Sequence, residues 1–145
     1  MATSRRPRSG TAIDGRSRDR PQTAGRTALG RRGEEFAAEY LCSLGYQIVA
    51  RNWRCRSGEI DLIARIRHSG RSKIIFCEVK TRGGLGWGDP LEAITYEKGR
   101  RLRQLAGHWL AETGEHADDL RIDGIGVVLV RGQAPQLKHV PGIDA

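Results

Sequence analysis

Two short apolar stretches carry acids where a core strand normally has none: residues 58–64, GEIDLIA, and residues 76–80, FCEVK. Glu78 and Lys80 are two apart. In a strand that spacing puts them on one face, roughly 7 Å apart along the chain, while Cys77 and Val79 face the other way. In the first stretch the alternation places Glu59, Asp61 and Ile63 on one face and Ile60, Leu62 and Ala64 on the other. If the two strands are neighbours in a sheet, Asp61, Glu78 and Lys80 meet on a single face. Carboxylates held side by side repel each other unless a cation sits between them. An oxygen-only pair suits a hard divalent ion such as magnesium.

The elements that must position these residues fit one domain, because 145 residues are enough for one and not comfortably for two. Only 38% of the chain is hydrophobic and 19 residues are glycine, which predicts that part of it is not packed. Residues 1–26, rich in Arg, Ser, Thr, Gly and Pro, read as a disordered basic tail. Its arginines either follow a phosphate backbone or form a passive extension. A net charge of +8 and a pI near 10.1 favour a polyanionic partner, most simply nucleic acid. Three cysteines, an odd number without metal-ligand spacing, point to a reduced cytoplasmic protein. No apolar run is long enough to cross a bilayer, so no membrane partner is expected.

Residues 27–44 read as a helix, with Thr27 as N-cap and Gly45 as stop. Phe36, Ala37, Tyr40, Leu41 and Leu44 make its apolar face. Glu34 lies at the edge of that face and Glu35 on the far side. A glutamate at a helix edge is often merely solvated or capping, yet of these two only Glu34 leans toward the protein. Residues 46–53, 59–66 and 73–80 read as three strands of an antiparallel meander. Residues 81–90, with Trp87 and Asp89, form a glycine-rich loop that either grips phosphates or simply connects. Residues 91–111 read as a second helix with a stripe of Leu91, Ile94, Leu102, Leu105 and Trp109. Lys98 falls within that stripe. Either its stem snorkels outward or its ammonium reaches a phosphate or a site acid. Residues 121–130 read as a last strand, in which Gly124 and Gly126 mark a bulge or a close approach. The pattern assigns Asp123 no role. The domain is thus placed at residues 27–132, followed by a tail, 133–145, with a short strand near 137–140.

Helix, three strands, helix, strand, with Asp61 followed by Glu78-Val79-Lys80, resembles the PD-(D/E)xK, or restriction-endonuclease-like, superfamily. A closer resemblance covers most of the chain after the tail. Gly33-Glu34, Asn52, the GEIDLIA segment at 58–64, the FCEVKTR segment at 76–82, Lys98 and Arg121-Ile122-Asp123 resemble the YraN-like family, which is similar to archaeal Holliday-junction resolvases. The resemblance implies an α/β fold with an αβββαβ core and a mixed central sheet flanked by helices.

It also implies a site of Glu34, Asp61, Glu78 and Lys80 that hydrolyses phosphodiesters with magnesium or manganese. Asp61, Glu78, Glu34 and the Val79 carbonyl are the implied metal ligands, and Lys80 the residue that orients water. Ile60 stands where the superfamily's name has proline, a variable structural position. Arg54, Arg56, Arg82, Lys98, Arg100 and Arg101 are the residues expected to hold a nucleic-acid backbone, most simply DNA. Junction resolvases act as dimers, so a homodimer is implied too. Three readings follow: a structure-directed DNA endonuclease, a non-catalytic nucleic-acid-binding protein of DNA uptake, repair or recombination, and a plain α/β domain whose acids make salt bridges. The presence of every acid together with Lys80 favours the first.

Overall fold

The computed structural model describes residues 27–84 and 89–145. The expected N-terminal tail, residues 1–26, and the Trp87 segment of the glycine-rich loop, residues 85–88, lie outside them. Helix α1 (Ala28–Ser43) opens at Thr27, whose Oγ1 accepts from the Gly30 amide at 3.0 Å. It closes in a Schellman arrangement. Gly45 takes the left-handed conformation, φ 98°, and the Tyr46 and Gly45 amides donate to the Leu41 and Cys42 carbonyls, both at 3.0 Å.

Strands β1 (Gln47–Cys55), β2 (Gly58–His68) and β3 (Arg71–Arg82) form the expected antiparallel meander. A short 3-10 helix (Pro90–Ala93) and helix α2 (Tyr96–Thr113) then lead to β4 (Asp119–Val128), which lies parallel to β3. Strand β5 (Gln136–Val140) pairs antiparallel with β4. The sheet order is β1-β2-β3-β4-β5, a mixed sheet with a helix on each face. This is the α/β arrangement expected of a restriction-endonuclease-like core. The C-terminal segment joins it further. The Ile143 amide donates to the Ile122 carbonyl at 2.8 Å, and Asp144 pairs with Arg103 of α2.

Both faces of the sheet are dry. On one, Ala37, Ala38 and Leu41 of α1 cover Leu62, Ala64, Cys77, Val79, Ile125 and Val127. On the other, Leu102, Leu105, Ala106 and Trp109 of α2 cover Ile60, Ile63, Ile74, Phe76 and Ile122. Phe76 and Trp109 meet edge to face, with ring centroids 5.8 Å apart. Burial from both sides explains why residues 74–77 are apolar without alternation.

The second helix differs from its expected 91–111 span. Thr95 accepts from the Lys98 amide at 3.2 Å and starts α2 at Tyr96, while Asp89 caps the separate 3-10 turn. Leu91 and Ile94 therefore leave the helical stripe. They press on the backbone of Gly126 and Gly124, the close approach that these glycines permit. Lys98 falls in the first turn of α2 and is exposed, not buried in a stripe.

One contact sets how deeply α1 lies on the sheet. A Cβ on Gly33 would come 1.9 Å from the Thr81 hydroxyl and 2.8 Å from Thr81 Cβ, which no rotamer change relieves. Gly33 thus brings the helix that carries Glu34 against the end of β3. Gly33→Ala is expected to destabilise the fold by about 1–3 kcal/mol, read as a lowered Tm. An unchanged Tm would mean that α1 is free to lift.

Candidate active site

Strands β2 and β3 are paired from His68↔Arg71 to Leu62↔Cys77, and there the ladder ends. Beyond it, Gly58 to Ile60 stay paired to β1, and Glu78 to Arg82 to β4. The sheet forks, and the sequence-predicted acids sit at the fork. Asp61 turns its carboxylate into the gap, where Oδ2 accepts from the Val79 amide at 2.8 Å. A side-chain oxygen thus does what a partner-strand carbonyl does elsewhere in the ladder.

The same irregularity corrects the predicted face pattern. Leu62 and Ala64 face α1, whereas Ile60 joins Ile63 on the α2 side. Strict alternation therefore fails at Asp61, the residue that reaches across the fork. Asn52 marks the disturbance on β1 with a left-handed φ of 48°, which asparagine tolerates better than most residues.

Glu78 and Lys80 share the α2-side face, as their spacing predicts, with Lys80 Nζ 3.8 Å from Glu78 Oε2. Burial pushes the Glu78 carboxyl above the usual carboxylate range. Lys80 and then Lys98 pull it back, and the Glu34 charge adds to the rise. Glu34 of α1 and Lys98 of α2 thus both act on the carboxyl that β3 carries. Asn52 Nδ2 donates to Glu34 Oε1 at 3.1 Å and orients it. A cavity of about 230 Å³ opens beside Glu78, lined also by Gly58, Glu59, Lys98 and Arg101.

The donor chemistry at the fork is carboxylate and carbonyl oxygen, which fits a hard divalent cation. Among the described residues, no group of three or more His, Cys, Asp or Glu side chains stands together as a metal site. Of the predicted quartet, Lys80 and Glu34 act on Glu78 through charge, and Asp61 is held to the same strand by the Val79 amide.

The basic residues divide. Arg54 pairs with Glu59 at 3.3 Å, an exposed ion pair of small energetic weight. Arg82 reaches the Thr81 carbonyl at 3.4 Å. Arg56, Arg100 and Arg101 line a groove beside α2. Cys42, Cys55 and Cys77 are all free thiols, and among the described residues no helix is long and apolar enough to cross a membrane.

A second polar centre, which sequence reasoning missed, lies on the α1 side of the sheet. Asp123, opposite Cys77 in the β3–β4 register, is fully buried. Arg121 Nε and Nη2 both donate to it at 2.8 Å, His139 Nε2 lies 2.8 Å from Oδ2, and the Gly142 amide donates at 3.1 Å. Tyr40 OH of α1 stands 2.9 Å from His139 Nδ1. Burial raises Asp123, but the hydrogen bonds from Arg121 and His139 and the Arg121 charge outweigh it and hold the carboxyl below its ordinary range. The signal available was Arg121-x-Asp123, an ion pair at strand spacing inside an apolar run.

Residues 33–127 match the protein family called Uncharacterised protein family UPF0102. The chain belongs to UPF0102. A UPF0102 protein of Rhodococcus jostii (strain RHA1) is 48% identical over 78% of this chain and 92% of its own length. One from Clavibacter michiganensis subsp. michiganensis is 51% identical over 77% of this chain and 92% of its own. Another, from Mycolicibacterium smegmatis, is 48% identical over 81% and 94%. The matched UPF0102 region contains Glu34, the fork and Asp123.

The buried Asp123 and the half-buried Glu78 respond oppositely to neutralisation. Asp123, its carboxyl held low, contributes stability above the unfolded value of about pH 4. That contribution is lost as pH falls through the lower folded value. Asp123→Asn is expected to cost about 3–5 kcal/mol at neutral pH and to flatten the acid limb of the stability profile. Glu78→Gln removes a charge that burial disfavours and is expected to gain about 0.5–2 kcal/mol. Chemical denaturation in chelator-containing buffer measures both. Destabilisation by Glu78→Gln would make that acid a structural one.

Proposed function

We propose that this UPF0102 protein is a metal-dependent endonuclease that hydrolyses phosphodiester bonds in DNA, branched DNA included. One observation carries the reading: a partly desolvated carboxylate, Glu78, stands at a strand fork beside Asp61, with Lys80 at 3.8 Å and the charges of Lys98 and Glu34 acting on it. A salt bridge kept only for structure has no need of a carboxyl raised by burial and crowded by a second acid. Perturbed acids in a cleft are a mark of reaction centres.

Asp61 and Glu78, with the Val79 carbonyl, would hold magnesium or manganese, and Glu34 would face the same place from α1. Such an ion lowers the pKa of water and neutralises charge on the scissile phosphate. Lys80 would donate to the attacking water and keep it aimed at phosphorus. As the water oxygen bonds to phosphorus and gives up a proton to solvent, one P–O ester bond breaks, and the departing oxygen takes up a proton from solvent. Lys98, exposed at the first turn of α2, would meet the phosphate's non-bridging oxygens. Asn52 is a positioning residue that acts through Glu34.

Linear duplex, flap and four-way junction DNA, each incubated with manganese, magnesium or chelator, test the proposal. Metal-dependent cleavage is expected, with losses of about 100-fold or more in Asp61→Ala, Glu78→Ala and Lys80→Ala. Cleavage that persists in Lys80→Ala would point to a contaminant. Binding of every substrate with cleavage of none would favour the non-catalytic nucleic-acid-binding reading.

A further inference from the structure

The cavity beside Glu78 does not end there. Arg101 and Leu105 line it and also a larger groove of about 760 Å³ that runs along α2. One wall of the groove is α2 itself, through Glu97, Arg100, Arg101, Gln104 and His108. These residues recur at three- and four-residue intervals and so form one face. That face extends about 16 Å along the helix axis. The opposite wall is the two-residue turn between β1 and β2, Arg56-Ser57. Arg101 Nη2 donates to the Ser57 carbonyl at 3.4 Å and ties the walls together. The floor is closed, since a Cβ on Gly58 would already stand 3.1 Å from Leu105 Cδ1.

Three guanidinium groups and one imidazole look into this groove, against a single carboxylate, Glu97. Among the described residues, Arg56, Arg100 and His108 make no ion pair or side-chain hydrogen bond. Elsewhere the chain pairs exposed arginines readily: Arg51 with Glu35, Arg71 with Asp119 and Arg103 with Asp144. Arg56 and Arg100 thus stand unpaired along a groove that shares Arg101 and Leu105 with the cavity beside Glu78.

We infer that this groove between α2 and the β1–β2 turn is the track of one unpaired polynucleotide strand, whose phosphates are held by Arg56, Arg100 and Arg101 and whose path ends at Glu78. The inference rests on, and narrows, the nuclease reading. Its basis is shape and lining. A duplex presents its phosphates on a convex surface and is held by protruding cations, whereas this is a solvent-open groove between a helix and a turn. Its volume, about 760 Å³, is of the scale of a nucleotide or two. Its lining alternates phosphate-binding cations with flat or apolar surfaces, the guanidinium planes, His108 and Leu105. Unstacked bases pack on such surfaces without sequence choice. The substrate class is therefore a tail, a flap or a splayed arm.

Fluorescence anisotropy of the full chain in chelator-containing buffer tests this, using a labelled 12-residue oligothymidylate, its RNA counterpart oligouridylate and a blunt 12-base-pair duplex. Single strands are expected to bind at least about fivefold more tightly than the duplex. Arg56→Ala and Arg100→Ala should each weaken single-strand binding about three- to tenfold, and each should flatten the log Kd against log salt slope by about 0.7. His108→Ala should weaken it about fivefold. Arg67→Ala, an exposed arginine near the β2–β3 turn, should change nothing. Equal or tighter duplex binding, or groove variants that behave like Arg67→Ala, would overturn the inference. Comparable DNA and RNA affinity would support it as the shared chemistry of both strands. Because no divalent ion is present, a chain that binds in this way and never cuts sinks only the catalytic reading. A chain that cuts while the groove variants bind normally sinks only this one.

Discussion

The Asp61 carboxylate standing in for a strand is the interaction on which the site depends. Where β2 leaves β3, the Val79 amide would lose its ladder acceptor, and an orphaned buried amide costs about 1–3 kcal/mol. Asp61 Oδ2 fills that vacancy at 2.8 Å. The fold can therefore open its central sheet with the Val79 amide still bonded. The amide that donates to Asp61 belongs to the residue after Glu78, so the bond that closes the fork holds Asp61 to the strand that carries Glu78. Gly33 completes the frame, since only a residue without Cβ lets α1 bring Glu34 down to the same strand end.

The two faces of β3 and β4 hold acids in contrasting states. Behind the sheet, Asp123 has every oxygen engaged and is tied to α1 and β5 through His139 and Tyr40. The neighbouring Cys77 thiol is pushed up by burial and then by Asp123, which makes it a packing residue rather than a nucleophile. In front, Glu78 is half-buried and under-compensated, with Lys80 and Lys98 only partly offsetting desolvation and the Glu34 charge. Environment, not residue type, separates the two acids. The first anchors the C-terminal segment against the sheet; the second stores an electrostatic cost that a cation would relieve.

Much of the fold is legible in the sequence because its signals are local. Thr27 and Gly45 bracket α1, and the strands of the meander follow one another with short turns. Glu78 and Lys80 keep strand spacing, so their shared face can be read directly. What periodicity misreads arises from contacts distant in sequence. The Asp61 side chain answers to an amide eighteen residues away, which turns Ile60 to the face opposite Leu62. Thr95 restarts a helix that an apolar stripe carries through. Asp123 finds its role only once His139 and Gly142 return to it from the last strand and the turn beyond. The groove beside α2 was half visible, as a set of arginines. Which of them remain unpaired depends on partners such as Glu59, which takes Arg54 and whose position only the folded chain supplies.

The central claim is that the fork is where a doubly charged cation settles. Paramagnetic broadening of backbone amide signals by substoichiometric Mn²⁺, on the isotope-labelled full chain, reads this directly. The expected result is selective loss of the Asp61, Glu78, Val79 and Lys80 amides, with the Gly142 amide behind the sheet preserved. Broadening centred on the exposed Asp118–Asp119 turn, or spread evenly over the chain, would contradict the account.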